Sequence, residues 1–306
     1  MKLQKTLSGI FAPVLTPVQA DLSPDAERWI ALCKRLLADG CHGLCPFGTT
    51  SEANSFSVEE RIDLLEQLIE SHVPAAQLMP GTGCCALPDT VRLTTHAVRI
   101  GCGGVLVLPP FYYKGVSDDG LFRSFSEVIE RVGDRRLRMY LYHIPPVAQV
   151  GISLKLIERL VAAYPETVVG IKDSSGDWNN LQALLTNFPG FGTFTGNEKF
   201  LLATLRAGGA GSINAVANVI PQPQRQLYEQ WQSPEAPQMQ AAIDQLRQVM
   251  QPYPTIAGMK QIVAYLLNDP AWLTLRPPLH NLTPAQAEAL LQSVAALPYL
   301  QKPVVA

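Results

Sequence analysis

Lys172 is the residue with the plainest chemical potential. It follows Val168-Val169-Gly170-Ile171, an apolar run that reads as a buried strand. Desolvation disfavours an ammonium, and a neutral amine can attack a carbonyl. Tyr142 ends the preceding apolar run. Neighbouring strands lie about 4.8 Å apart, so the phenol would stand beside the amine. That pair suits imine chemistry, in which a carbinolamine loses water and an enamine gives or takes a proton. Gly48-Thr49-Thr50, at the end of another run, adds hydroxyls and backbone N–H groups that can hold a carboxylate or bond to Tyr142. Each has a plainer reading alone. Lys172 can snorkel to solvent or pair with Asp173, Tyr142 can be a core aromatic, and the threonines can form an ordinary polar turn. The combination is far more specific than any member.

The elements that must position these residues are legible in outline. Short apolar runs at 10–15, 43–47, 77–80, 105–108, 139–144, 168–171, 192–195 and 212–215 read as strands. Amphipathic stretches at about 25–39, 58–72, 88–100, 118–132, 153–164, 177–188 and 197–207 read as the helices between them. Ser23-Pro24 looks like one helix start, and Ser57 with Glu60 has capping-box spacing. This α/β alternation predicts a (β/α)8 TIM barrel over 1–220, with its active site at the carboxyl ends of the strands. An open doubly wound sheet would need a Gly-rich phosphate turn after the first strand, where 11–18 carries two prolines instead. Residues 221–306 show no convincing strand. They read as the last barrel helix and a C-terminal helical subdomain, with patterns near 222–232, 234–250, 258–267 and 284–295.

Composition narrows the function classes. Of 306 residues, 47% are hydrophobic and 16% charged, so a large core is expected and disorder is not. The net charge of −2, with no strongly basic segment, argues against a nucleic-acid or anionic-membrane partner. Six cysteines lie in the first third without a CxxC pair. They are expected to be mostly buried free thiols in a reducing cytoplasm. Lys2 and Lys5 before 7–15 loosely imitate a signal peptide, but Pro13 and Pro17 break the run and it reads as the first strand. His42, His72, His96, His143 and His280 form no HxH pair at a strand end, which disfavours a metal-dependent barrel hydrolase.

Several motifs then fall into a familiar order: Gly48-Thr49-Thr50-Ser51-Glu52, Pro80-Gly81-Thr82-Gly83, Pro109-Pro110-Phe111-Tyr112-Tyr113, Tyr142-His143-Ile144-Pro145, Gly170-Ile171-Lys172-Asp173-Ser174-Ser175-Gly176 and Gly196-Asn197-Glu198. Over about 8–300 the chain resembles the dihydrodipicolinate synthase and N-acetylneuraminate lyase superfamily, the class I pyruvate-dependent aldolases. The resemblance implies a lyase that condenses or cleaves a 2-oxo acid, pyruvate, with an aldehyde-type partner. Lys172 matches the Schiff-base lysine and Tyr142 the proton-relaying tyrosine. Thr49 matches the hydroxyl linking that tyrosine to a second one, Tyr112, which in many members reaches a neighbouring subunit's site; Tyr113 is a one-position alternative. Thr50, with Gly48 beside it, matches the carboxylate-binding turn, and Ile213 matches an apolar residue lining the pyruvate pocket. A homodimer or homotetramer is implied. No metal or organic cofactor is expected, because the lysine is itself the electron sink.

The chain also departs from that pattern. Ser51 stands where the synthases carry glycine, so the turn after Thr50 is expected to differ. His143 replaces a common asparagine and reads as a packed strand-end histidine. After Pro145 the synthases place an arginine that binds the second substrate's carboxylate. Here Pro146-Val147-Ala148-Gln149-Val150-Gly151 has none. A partner with a less anionic distal end is therefore expected, unless an arginine such as Arg276 folds in from elsewhere. Two alternatives stay open: a 4-hydroxy-tetrahydrodipicolinate synthase acting on aspartate semialdehyde, and a non-catalytic 2-oxo-acid-binding protein.

Overall fold

A computed structural model of the protein describes residues 6–300. Seven parallel strands form one curled sheet: β1 (Gly9–Ala12), β2 (Gly43–Leu44), β3 (Val105–Val107), β4 (Met139–His143), β5 (Val168–Asp173), β6 (Gly192–Thr195) and β7 (Gly211–Ile213). Their order is β2-β1-β7-β6-β5-β4-β3. The run expected as an eighth strand, 77–80, joins the two ends through parallel bridges of Leu78 to Leu44 and Gly81 to Leu106. Met79 N–H donates to Leu44 O at 2.8 Å, and Leu106 N–H to Pro80 O at 2.9 Å. Pro80 has no N–H of its own, so this segment makes isolated bridges where a continuous ladder would otherwise run.

Helices alternate with the strands: α1 (Ala26–Ala38), α2 (Val58–Glu70), α3 (Leu87–Arg99), α4 (Asp118–Val132), α5 (Pro145–Ala148), α6 (Leu154–Ala163), α7 (Trp178–Asn187) and α8 (Leu201–Arg206). After β7 come α9 (Pro221–Glu229), α10 (Ala236–Met250), α11 (Thr255–Leu267) and α12 (Pro284–Ala295). The expected capping box is present on α2, with Glu60 N–H on Ser57 Oγ and Ser57 N–H on Glu60 Oε2. The first helix starts later than expected. Asp25 caps it by accepting from Arg28 N–H, while Ser23 is bonded to Asp21. The segment from Pro145, outside the helical stretches expected from the sequence, opens with the short helix α5, for which the fixed φ of Pro145 is well suited.

Strand alternation sorts the apolar side chains into two environments. Phe11, Cys45, Met79, Leu106, Tyr140, Tyr142, Phe194 and Ile213 form one cluster inside the ring. Val105, Val107, Met139 and Leu141 belong to an outer cluster shared with α4 and α6, as do Val168 and Ile171, which a register shift at Met139–Tyr140 brings to one side although they are three residues apart. Tyr140 and Phe194 fill the lower part of the ring edge to face, 5.9 Å apart. Gly170 makes this possible, because a Cβ there would lie 2.4 Å from the Tyr140 ring. Residues of α10 and α11 share a buried cluster with Trp29, Leu32 and Leu36 of α1. None of the six cysteines is paired; Cys33, Cys41 and Cys45 are buried, and Cys85 is exposed. Among the described residues no helix is long and apolar enough to cross a membrane.

His42, beside β2, sets one pH limit on this fold. Its Nδ1 accepts from Ile10 N–H at 3.0 Å, a bond that requires the neutral ring. Burial, with Arg225 nearby, pushes the imidazole down to about 4. An unfolded histidine protonates near about 6.5. The stability this provides is therefore complete above that value and is lost as pH falls toward about 4. The urea midpoint should drop between pH 7.5 and 5, and His42→Asn should shrink that drop. An unchanged drop would assign the acid sensitivity elsewhere.

Candidate active site

β4 and β5 pair in parallel with Tyr142 opposite Lys172. Both side chains face inward at the carboxyl end of the ring, and both residues are buried. Lys172 Nζ lies 3.4 Å from Tyr142 Oη and 4.4 Å from the ring centroid. The hydrogen bond is long for an ammonium donor, so the amine is held near the phenol without being tied to it. Thr49 Oγ1 lies 3.1 Å from the same phenol oxygen. A hydroxyl, a phenol and an amine thus run in sequence from a half-buried threonine to a buried lysine, a geometry in which a proton can be passed. Cys45 sits below them, its thiol pushed up to about 12 by burial, and stays neutral.

These groups open into a cavity of about 450 Å³. The barrel lines it with Thr49, Thr50, Tyr142, Ile144, Lys172, Ser174, Gly196, Glu198, Ile213 and Ala215. Its opposite wall comes from the C-terminal third: Arg247 near the end of α10, the 254–257 start of α11, and Leu275, Pro278, Leu279 and His280. Val147 of α5 completes the rim. Arg247 Nη1 lies 3.3 Å from Glu198 Oε1, in direct contact. Burial raises the Glu198 carboxyl above its ordinary range, opposed by the Arg247 charge.

The structure brings Lys172, Tyr142, Thr49, Thr50 and Ile213 to this one cavity, as their motifs suggested. Gly48 supports it from behind; its carbonyl accepts from Ala53 N–H and closes the turn. Ser51 needs no glycine-like conformation, because the left-handed step falls on Glu52 at φ 58°. Tyr112 lies outside the cavity of its own chain, 73% exposed and in edge contact with an equally exposed Tyr113. His143 faces outward and accepts from Ile152 N–H through Nδ1, a packing role. Arg276 does not fold in: it is engaged with Glu60 and the Ser55 and Leu22 carbonyls. Arg247 lines the cavity instead, so the exception allowed for an arginine from elsewhere is met by a different residue. Sequence reasoning quoted Glu198 without a role and missed Arg247. The former stands three residues after a strand end, but the latter, on a distant helix, gave no local signal.

A second buried pair fixes the threonine turn. Glu52, two residues after Thr50, meets Lys260 of α11 at 2.6 Å, and both side chains are almost wholly buried. Lys260 also donates to Thr274 O at 3.1 Å. Burial pushes the Lys260 ammonium down, with Glu52 opposing.

Comparison with known proteins bears on the family and the fold. The profile of the dihydrodipicolinate synthetase family matches residues 6–297. A Chloroflexus aurantiacus protein, described as an uncharacterized DapA-like lyase, is 34% identical over 92% of this chain and 94% of its own length. The crystal structure of dihydrodipicolinate synthase from Agrobacterium tumefaciens superposes with a TM-score of 0.88 at 31% identity, covering 94% of this chain and 99% of that one. A prophage protein of the dihydrodipicolinic acid synthase family from E. coli K12, solved in complex with pyruvate, gives a TM-score of 0.85 at 26% identity, with 95% and 98% covered.

Removing one member of a buried ion pair strands the other charge, at a cost of about 3–5 kcal/mol. Lys260→Met should destabilise by that order in denaturant unfolding. A Glu52→Gln, Lys260→Met double variant should recover part of the loss. A near-neutral Lys260→Met would mean that Glu52 is solvated or protonated in the native state.

Proposed function

The chain belongs to the dihydrodipicolinate synthetase family and is a lyase, and on that premise we propose that it joins or cleaves a 2-oxo acid, pyruvate, and an aldehyde through an imine on Lys172. The observation that carries the reading is the series Lys172, Tyr142 and Thr49, the first two buried and the third half-buried, with separations of 3.4 and 3.1 Å. The complex of a family relative with pyruvate supports the choice of 2-oxo acid.

The steps follow from the groups present. Lys172 Nζ adds to the C2 carbonyl carbon, whose electron pair moves to oxygen. Tyr142 supplies a proton to the carbinolamine oxygen, which leaves as water and yields the imine. Loss of a C3 proton to the Tyr142 oxygen gives the enamine, with the protonated imine nitrogen as electron sink. C3 then adds to the aldehyde carbon, and the new alkoxide takes the proton back from Tyr142. Water adds at C2 and expels the amine, releasing a 4-hydroxy-2-oxo acid. The reverse order cleaves such an acid. Thr49 holds the phenol in line, Thr50 receives the pyruvate carboxylate, and Ile213 packs on the methyl group. No metal or organic cofactor enters this scheme. The barrel over 1–220 supplies the chemistry, and the helical part from 221 covers its mouth. A homodimer or homotetramer completes the reading, with the exposed Tyr112 at a subunit contact and a cytoplasmic location.

Borohydride added with pyruvate should leave a reduced adduct on the Lys172 peptide. Tyr142→Phe should fold normally yet lower kcat by about 10²- to 10⁴-fold. An unmodified Lys172 peptide in folded protein would sink the mechanism. Sedimentation of the active enzyme should show at least a dimer; a fully active monomer would remove Tyr112 from any shared site.

A further inference from the structure

The distal wall of the cavity carries a recognition group that the imine chemistry does not use. Arg247 lies near the end of α10, and the register of that helix over the site is fixed by Gln240. The Gln240 side chain donates to Glu198 O at 3.0 Å and accepts from Leu202 N–H at 3.0 Å. Arg247 follows seven residues later, two helical turns along, on the same face. It is thereby carried to the cavity, where Glu198 orients it through one guanidinium nitrogen. That contact, at 3.3 Å, is longer than a charge-assisted bond of about 2.7–2.9 Å. The guanidinium is thus steered while the rest of its planar donor fork stays available to a ligand. The start of α11, residues 255–257, lines the same wall, and no side chain caps this helix. Its first N–H groups add positive potential on that side.

We infer that Arg247 is the specificity-determining residue for the aldehyde partner and that it receives a carboxylate at the partner's distal end. This rests on the imine reading, which supplies the other end of the substrate. Lys172 fixes the reacting carbon at the floor, and the 450 Å³ cavity leaves space for a short chain between floor and wall. A planar monoanion matches the guanidinium fork in a bidentate manner. A phosphate dianion suits the wall less well, because Glu198 sits beside the arginine and offsets part of its charge. Arg247 thereby does from α10 what the arginine-free segment after Pro145 leaves undone.

The test compares ω-oxo acids of three to six carbons with their ω-oxo amides as partners for pyruvate. Wild-type enzyme should favour an acid over its amide in kcat/KM by roughly 10- to 100-fold at the best chain length. Arg247→Gln should remove most of that preference, Arg247→Lys should restore part of it, and the KM for pyruvate should not change. Borohydride trapping of pyruvate on Lys172 is run on every variant. Trapping that fails in the wild type would overturn the imine reading itself. Trapping that succeeds while no acid is preferred, or while the preference survives in Arg247→Gln, would overturn the inference alone. So would a larger preference for a phosphate-ended aldehyde such as glyceraldehyde 3-phosphate. A merely structural Arg247–Glu198 contact predicts equal losses with acid and amide.

Discussion

The register between β4 and β5 is the constraint on which the rest depends. Side chains alternate along a strand, so a slip of one residue would turn every inward group outward. Tyr140 and Tyr142 would exchange places with Leu141 and His143, and Lys172 would lose the phenol beside it. The pairing that prevents this is held from both faces. Inside, Tyr140 fits against the bare backbone of Gly170. Outside, Leu141 and Ile171 pack into the cluster formed with α4 and α6. Below, the Tyr140 hydroxyl accepts from Leu7 N–H at 2.8 Å and is anchored there. Core packing at the lower end of the ring thus sets the spacing of reactive groups at the upper end.

The C-terminal third matters to the site because it is fastened to the barrel at several polar points, three of which bear on the cavity. Gln240 fixes α10 to the 198–202 turn. Lys260 fixes α11 to Glu52, two residues beyond Thr50. Arg276 bonds to Glu60 and to Ser55 O, on either side of the start of α2. Apolar contacts alone would hold these helices against the barrel without choosing one register. A buried polar group without its partner is costly, so these contacts disfavour neighbouring registers. The outcome is a division of labour. The barrel presents Lys172, Tyr142 and the threonines, which the proposed function makes nucleophile and proton carriers, and the later helices present the facing wall of the cavity.

Much of this was legible in the sequence, and the reason is local. Strand and helix periods are properties of short windows, so the runs at 139–144 and 168–171 and the amphipathic stretches between strands appear close to where they were expected. Lys172, Tyr142, Thr49 and Thr50 stand at the ends of such runs, and the end of a barrel strand has one destination. The errors were local as well. Ser23 and Asp25 both suit a helix start, and only the backbone path chooses Asp25. Pro80 sits in an apolar run that reads as a strand, but its missing N–H reduces that segment to bridges.

Tertiary structure alone decided which distant groups meet. Nothing near Arg247, in a helix rich in glutamine and alanine, distinguishes it from Arg276, and the two have opposite fates. One faces the cavity beside Glu198, and the other clamps the start of α2. Lys260 and Glu52 carry no mark of partnership across some two hundred residues, yet each leaves solvent only because the other does. The sequence by itself determined the barrel and its reactive floor, because periodicity and strand-end chemistry are written in contiguous residues. The distal wall was decided by packing, because the angle at which α10 and α11 cross the barrel mouth depends on contacts between segments far apart in the chain.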